Sequence, residues 1–245
     1  MQRYFVSFKC VDDIILSQDD IFHITHVMRM NPGDNFEINN DGDIYVALIT
    51  NVNPFEFKII QKLEENHEIS KDITLLYCIP KGEKIDLVLQ KATELGVKNI
   101  VLINSSRTVA KINNSNKEKK LIRFNKIIKE AVEQCKRTCK PEILDIIDYK
   151  DIKKYLCDLN LIAYENCDDK VADLKTLLND FNKKTISILI GAEGGFSKEE
   201  VDYALKLGFN EISLGKRILR SETSVFYLMS VLSFYFEDWL WIIQY

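Results

Sequence analysis

The pattern of apolar residues predicts an α/β protein in two parts. A small β-rich domain over residues 1–70 precedes a larger domain over residues 71–245 built on a parallel sheet. Two observations carry this reading. Before residue 64, short apolar segments are separated by turn signals, as in hairpins and small barrels. After residue 72, apolar runs of about four to eight residues alternate with amphipathic stretches, as in strands buried on both faces and covered by helices.

In the first part, RYFVSF from Arg3 reads as a short strand. DDIFHITHVMRM reads as a helix that starts at the acidic pair Asp19–Asp20, where carboxylates meet the positive end of the helix. Asn-Pro-Gly-Asp at 31–34 is a turn. NFEIN and DIYVALITNV flank Asn40-Asp41-Gly42, a hairpin signal because both turn residues tolerate positive φ. FEFKIIQKL supplies a further strand, and the polar stretch EENHEISKD at 64–72 reads as a linker.

In the second part, DITLLYCIP is a strand and KIDLVLQKATEL an amphipathic helix closed by Gly96. NIVLIN is the next strand. Residues 116–137 form a long basic helix ended by Pro141. LNLIAYE, TISILIG and EISLG are three further apolar runs separated by helical stretches. Near the C-terminus the apolar run Val225–Phe236 is interrupted by Glu237 and Asp238. It falls short of the roughly 20 residues that a bilayer needs, so no membrane association is expected. A helix apolar nearly all round must be covered on several sides, and a second copy of the chain in a homodimer is the expected cover.

The N-terminal MQRYFVSFKCVDD has no apolar core of a leader peptide, which sets the expectation of a cytoplasmic protein. The six cysteines are scattered, with no CxxC pair and no disulfide framework. Cys135 and Cys139 share a helical face, but no second ligand pair follows, so no metal is expected. The net charge of −4 excludes a uniformly basic nucleic-acid binder, but the charge is unevenly spread. Residues 1–70 carry 5 Lys/Arg against 12 Asp/Glu, whereas residues 98–140 carry 12 basic residues against Glu118, Glu130 and Glu133 alone. That local surplus suits a polyanion, although a solvated helix face accounts for it as well.

Ligands of open parallel sheets gather at the carboxyl ends of the strands. Three such ends are unusual: Ala163-Tyr164-Glu165, the glycine-rich Gly191-Ala192-Glu193-Gly194-Gly195-Phe196-Ser197, and Leu214 to Thr223. The glycines let backbone pass close to a ligand. Ser197 and Glu200 have capping-box spacing, so a helix starts there and ends at Gly208. Neither a P-loop nor a dinucleotide fingerprint is present. Arg220 stands between Ile218-Leu219 and a helix start at Ser221–Thr223. An Arg and a Glu at a helix N-terminus suit anion or base recognition, while Glu222 also simply complements the helix dipole.

Taken together, GAEGGFS and LGKRILRSET resemble the two cofactor-loop motifs of the SPOUT methyltransferases, and more narrowly of the 16S ribosomal RNA uracil-N3 methyltransferase family. Further matches run along the chain: RYFV, HITHVMRMNPGD at 23–34, KGEKIDLVLQKATELGV at 81–97, SSR at 105–107 and EAVEQCKR at 130–137. Ala192 stands where the family usually has proline, and Ser224 where alanine is usual. The resemblance implies a PUA-like β-barrel, a trefoil-knotted α/β domain and a homodimer. It implies S-adenosyl-L-methionine as cofactor and 16S rRNA or the small ribosomal subunit as partner. Cofactor contacts would fall on Tyr164, Glu165, Ile190, Gly191, Glu193, Gly194, Gly195, Leu214, Gly215, Ile218 and Leu219. Arg220 and Glu222 are the expected catalytic residues. His23, Arg29, Arg107, Lys119, Lys120, Arg123 and Arg137 are the expected RNA contacts. A SPOUT enzyme with another RNA target, or an inactive RNA-binding assembly factor, fits the same residues.

Overall fold

The structure, a computed structural model, describes residues 1–6, 14–82, 84–108, 111–164 and 172–237. The chain divides into two compact units, residues 1–68 with 129–140, and residues 69–128 with 141–245.

The first unit is a four-stranded sheet in the order β1 (Arg3–Val6), β2 (Asn35–Asn40), β3 (Asp43–Val52), β4 (Phe55–Leu63). β1 runs parallel to β2, and the other pairs are antiparallel. The β2–β3 hairpin closes through Asp41 and Gly42, both at positive φ, and Asn39 Oδ1 accepts the Gly42 N–H at 2.8 Å. Phe36, Ile38, Tyr45, Ala47 and Ile49 fill one core with Tyr4, Ile14, Leu16 and Ile24. The segment read as one helix is α1 (Gln18–Phe22), capped by Ser17, continued by a wider π-helical turn over His23–Val27.

Residues 64–68 are more than a linker. Arg3, almost fully buried, donates to Glu37 at 2.9 Å, to Glu65 at 2.7 Å and to the Lys136 carbonyl at 2.6 Å. Glu68 accepts from the backbone N–H groups of Thr138 and Cys139, both at 2.9 Å, and pairs with the Arg137 guanidinium. Removing either partner of such a buried pair leaves an uncompensated charge.

The second unit is a six-stranded, all-parallel sheet in the order β10-β8-β9-β5-β6-β7. Its strands are β5 (Asp72–Cys78), β6 (Asn99–Asn104), β7 (Glu142–Asp148), β8 (Leu159–Ala163), β9 (Thr185–Ile190) and β10 (Asn210–Ile212). The helices are α2 (Lys84–Glu94), α3 (Asn114–Cys135), whose residues from 129 on belong to the first unit, α4 (Leu174–Asn179), α5 (Lys198–Lys206) and α6 (Ser221–Phe236). α3 stops before the expected 137, where Lys136 turns to φ 58. β7 was not expected. Its EILDIID alternates because it is an edge strand, half exposed, and so lacks a continuous apolar run. The central strands are mostly apolar, with Ile73, Leu75, Leu76, Ile186, Ile188 and Leu189 fully buried.

The chain starts at β5, moves outward through β6 and β7, then returns to β8, β9 and β10 on the other side. β5 and β9 therefore flank a switch point, where the connections leave a crevice at the strand ends. From the edge strand β10 the chain comes back to the sheet centre. There Ser221 Oγ donates to the Gly191 carbonyl and lies 3.1 Å from the Tyr77 hydroxyl. This is the return that the knotted topology implied by the motifs requires. Among the described residues no helix is long and apolar enough to cross a membrane. Nor, among them, do three or more His, Cys, Asp or Glu side chains gather as ligands of a metal.

Candidate functional site

The carboxyl ends of β8, β9 and β10 face a cavity of about 350 Å³ in the second unit. Ile190, Gly191, Glu193, Gly195, Ile218, Leu219 and Arg220 line it together with Lys84, Ala163, Phe196, Ser221 and Ser224. An adjoining cleft is lined by Tyr164, Leu214 and Gly215, and shares Ala163, Ile218, Leu219 and Ser224 with the cavity. Residues far apart in the chain, from 163 to 220, are thus brought together as their strand-end positions suggested. Glu165 lies outside the described residues.

The loop after β9 is held rather than free. Gly195 N–H donates to the Ala192 carbonyl at 2.9 Å, and Gly195 sits at φ 62. A Cβ on Gly191 would stand 3.2 Å from the Gly195 backbone and 3.3 Å from the Phe196 ring, so a side chain there would press the turn apart by a few tenths of an ångström. The expected capping box is present: Ser197 Oγ accepts the Glu200 N–H while Glu200 Oε2 accepts the Ser197 N–H. The second oxygen, Oε1, accepts the Ser106 N–H at 2.8 Å, which ties this loop to the 105–107 turn. Arg107 lies along Gly194 and donates to its carbonyl, so Gly194 packs on Arg107 and does not line the cavity.

The loop after β10 presents apolar side chains to the same space, with Ile218 86% exposed. Gly215 holds φ 105, a backbone state that L-residues avoid. Arg220 is the N-cap of α6, and its carbonyl accepts from the Ser224 N–H at 2.9 Å and the Ser224 hydroxyl at 3.1 Å. Arg220 is exposed and is one of the residues that line the cavity.

Glu222 is placed differently from Arg220. Its side chain is only 14% exposed and does not line the cavity. One oxygen is buried without a hydrogen-bond partner, and the Lys84 ammonium stands 3.7 Å away. The same ammonium lies 3.1 Å from Glu193. Burial pushes the Glu193 carboxyl up, but backbone hydrogen bonds, including the Lys81 N–H at 3.2 Å, and Lys84 outweigh it and hold it below the usual carboxylate range. Burial raises the Tyr77 hydroxyl well above the usual phenol range, so it stays protonated beneath Ser221.

Sequence reasoning missed Lys84, Tyr77, Ser221 and Ser224. For Lys84 and Tyr77 a signal existed, because both flank the carboxyl end of β5, a central strand whose end was not singled out. Among the residues expected to meet RNA, Arg29 and Lys119 are exposed and Lys120 is half-buried. Arg123 is exposed but pairs with Asp86 at 3.1 Å. His23 Nδ1 is 2.9 Å from the Tyr4 hydroxyl, which turns that edge of the ring inward. Arg137 requires a correction: it is 4% exposed and grips Glu68, so it holds the first unit together and is not presented to a ligand.

The model of the RNA methyltransferase domain matches residues 67–233, more than half of the chain. The chain belongs to this family. A second model, the RNA methyltransferase PUA domain, matches residues 16–60. The ribosomal RNA small subunit methyltransferase E of Mesomycoplasma hyopneumoniae is 35% identical over 233 residues, spanning 94% of this chain and 98% of that protein. The protein of the same name from Bacillus subtilis is 28% identical over 250 residues, spanning 97% and 98%. The crystal structure of ribosomal RNA small subunit methyltransferase E from Neisseria gonorrhoeae bound to S-adenosyl methionine superposes with a TM-score of 0.84 at 28% identity. It covers 96% of this chain and 97% of its own. The fold expected from the motifs, a SPOUT α/β domain preceded by a PUA-like domain, is the fold of this family and of this chain.

Proposed function

We propose that this chain transfers a methyl group from S-adenosylmethionine to N3 of a uridine in 16S ribosomal RNA. One observation carries the reading. The glycine cradle after β9, the apolar loop after β10 and Arg220 converge on one cavity, in a chain similar along its length to small-subunit rRNA methyltransferases.

The residues fit the cofactor. Gly191 keeps the β9 loop tightly turned, backbone groups of that loop edge the cavity, and Ile190, Ile218 and Leu219 give it an apolar wall suited to a nucleoside. When bound, S-adenosylmethionine supplies an activated methyl group. The rest falls to the chain. Uracil N3 carries a proton and is a poor nucleophile until that proton leaves. Arg220 offers its fork to the uracil oxygens, where negative charge grows as the proton departs. Glu222 is the acceptor we assign to the N3 proton; its unpartnered oxygen is buried behind the cavity, 3.7 Å from Lys84, so it must be uncovered before it can act. N3 lies on the Watson–Crick edge, so the target nucleotide must be unpaired or turned out of a helix. Lys119 and Lys120 on α3, with no acidic partner among the described residues, and Arg29 hold the phosphates. A homodimer that covers the exposed side of α6, and a cytoplasmic location beside ribosomal RNA, complete the reading.

The test is mass mapping of methyl groups on 16S rRNA, free or in the small subunit, after incubation with the protein and S-adenosylmethionine. One methyl on N3 of a single uridine is the expected result. A methyl elsewhere would reassign the target. RNA binding without any methyl transfer would leave a binding protein and sink the enzymatic reading.

A further inference from the structure

Next to the hairpin sheet of the first unit, Phe22 and His26 lie face to face, with ring centroids 4.5 Å apart and planes 10° from parallel. Phe22 is nonetheless 56% exposed, so the outer face of the stack is open to solvent. The hydrogen bonds fix the imidazole. Thr25 Oγ1 donates its only proton to the Ile21 carbonyl at 2.8 Å, so its contact with His26 Nδ1, also 2.8 Å, is one in which the ring N–H donates. His26 Nε2 therefore points away with no partner among the described residues. The helix widens to a π turn at these residues, a distortion often kept at functional sites, and ends at Arg29 in a left-handed conformation. The Arg29 guanidinium is exposed and pairs with no carboxylate among the described residues.

We infer that the Phe22–His26 pair is a stacking platform for an unpaired base of the RNA substrate, with Arg29 beside it to meet the base edge or the adjoining phosphate. The inference rests on the reading above that the chain acts on RNA, and it adds the Phe22–His26 stack to the Arg29 contact which that reading already uses. Charge supports it. Residues 1–68 and 129–140 together carry 9 Lys/Arg against 14 Asp/Glu, a balance of −5, so this unit is poorly suited to hold RNA mainly by Coulomb attraction to the backbone. An open aromatic face works without net positive charge and tolerates any base, because every base has a π-face. A base laid on Phe22 would extend the existing stack by one layer, with His26 Nε2 at its border. Arg29, three residues beyond His26, is placed to orient the nucleotide.

The platform is tested with the full-length protein, using a short single-stranded RNA that carries the fluorescent base 2-aminopurine, titrated at several salt concentrations. Wild type should quench the fluorophore, as stacking does. Phe22→Ala should bind roughly 5- to 150-fold more weakly, the equivalent of one lost base–aromatic stack, and should leave the fluorophore bright. The salt slope should stay the same, since no phosphate contact is removed. Phe22→Trp should bind as wild type and quench. Wild-type affinity in Phe22→Ala would overturn the platform. So would wild-type affinity in Phe22→Leu, which shows a merely apolar cover, or a flatter salt slope in Phe22→Ala. The same variants are assayed on 16S rRNA. Absence of methyl transfer by wild type counts against the proposed function, whereas normal wild-type transfer with an unaffected Phe22→Ala counts against the platform alone.

Discussion

Arg220 and Glu222 are two positions apart yet face different tasks. Arg220 reaches the cavity wall, and Glu222 sits a layer back beneath Lys84. Arg220→Ala should therefore lower single-turnover methyl transfer by roughly 10²–10³-fold, the range seen when one charge-stabilising donor is lost. S-adenosylmethionine affinity, measured by calorimetry, should hardly change. An intact rate in this variant would pass the role to Arg107, the other arginine against the glycine loop. The glycines differ in a comparable way. At Gly191 the space is closed by Gly195 and Phe196, whereas no atom lies within 4 Å of a Cβ at Gly215, where φ 105 alone demands glycine. Gly191→Ala should thus displace the β9 loop, at a cost of about 1–3 kcal/mol, and weaken cofactor binding about 5- to 150-fold. Calorimetry showing wild-type affinity would mean that the cofactor does not read this loop.

At the level of elements, the end of α3 carries an unusual carboxylate. Burial pushes Glu133 up to about 7; the Lys129 ammonium works against this, and Asp20 adds to it. One Glu133 oxygen lies 3.6 Å from Lys129 yet lacks a hydrogen-bond partner, because Lys129 is spent on Asp20 at 2.6 Å. The native state binds this proton more tightly than the unfolded chain, whose Glu titrates near its ordinary 4.5. The stability it contributes is therefore complete below about pH 4.5 and lost as pH rises through about 7. Glu133→Gln, with no proton to lose, should melt at a higher temperature than wild type at pH 8, and the two should converge near pH 5. Parallel melting curves across that window would mean that Glu133 is solvated and titrates normally.

Across the molecule as a whole, α6 carries an apolar surface that is open among the described residues. Val225, Leu228, Met229 and Leu232 of α6 are buried, but Phe234 of the same helix and Ile218 beside the cavity are largely exposed, and Tyr227 and Tyr235 partly so. A helix whose turns are apolar on nearly every side is poorly served by one chain alone. Light scattering at micromolar concentration should give the mass of a dimer, and Phe234→Asp should shift it to a monomer. A wild-type monomer would require the exposed α6 residues to have another purpose. Residues 238–245, from the interruption at Asp238 onward, lie outside the described residues.

Much of this molecule is legible in local patterns because the physics involved is local. The Asp41-Gly42 turn, the Ser197–Glu200 capping box, and the strands DITLLYC, NIVLIN and TISILI depend on neighbours within a few residues. The ligand loops were legible too, since a parallel sheet puts its site at strand ends and the glycines there mark close backbone approach. What local pattern could not show is partnership across the chain. Glu65 and Glu68 read as linker residues because nothing near them in sequence announces Arg3 and Arg137. Arg137 read as an RNA contact for the converse reason: a basic residue in a basic stretch looks solvent-facing until its carboxylate arrives from 69 residues away. Lys84 became part of the site only when β5 and β9 were set side by side, which brought Glu193 and Glu222 to one ammonium. Burial and ion pairing are properties of the packed chain, and a charge's role is settled by the groups that packing places within a few ångströms of it.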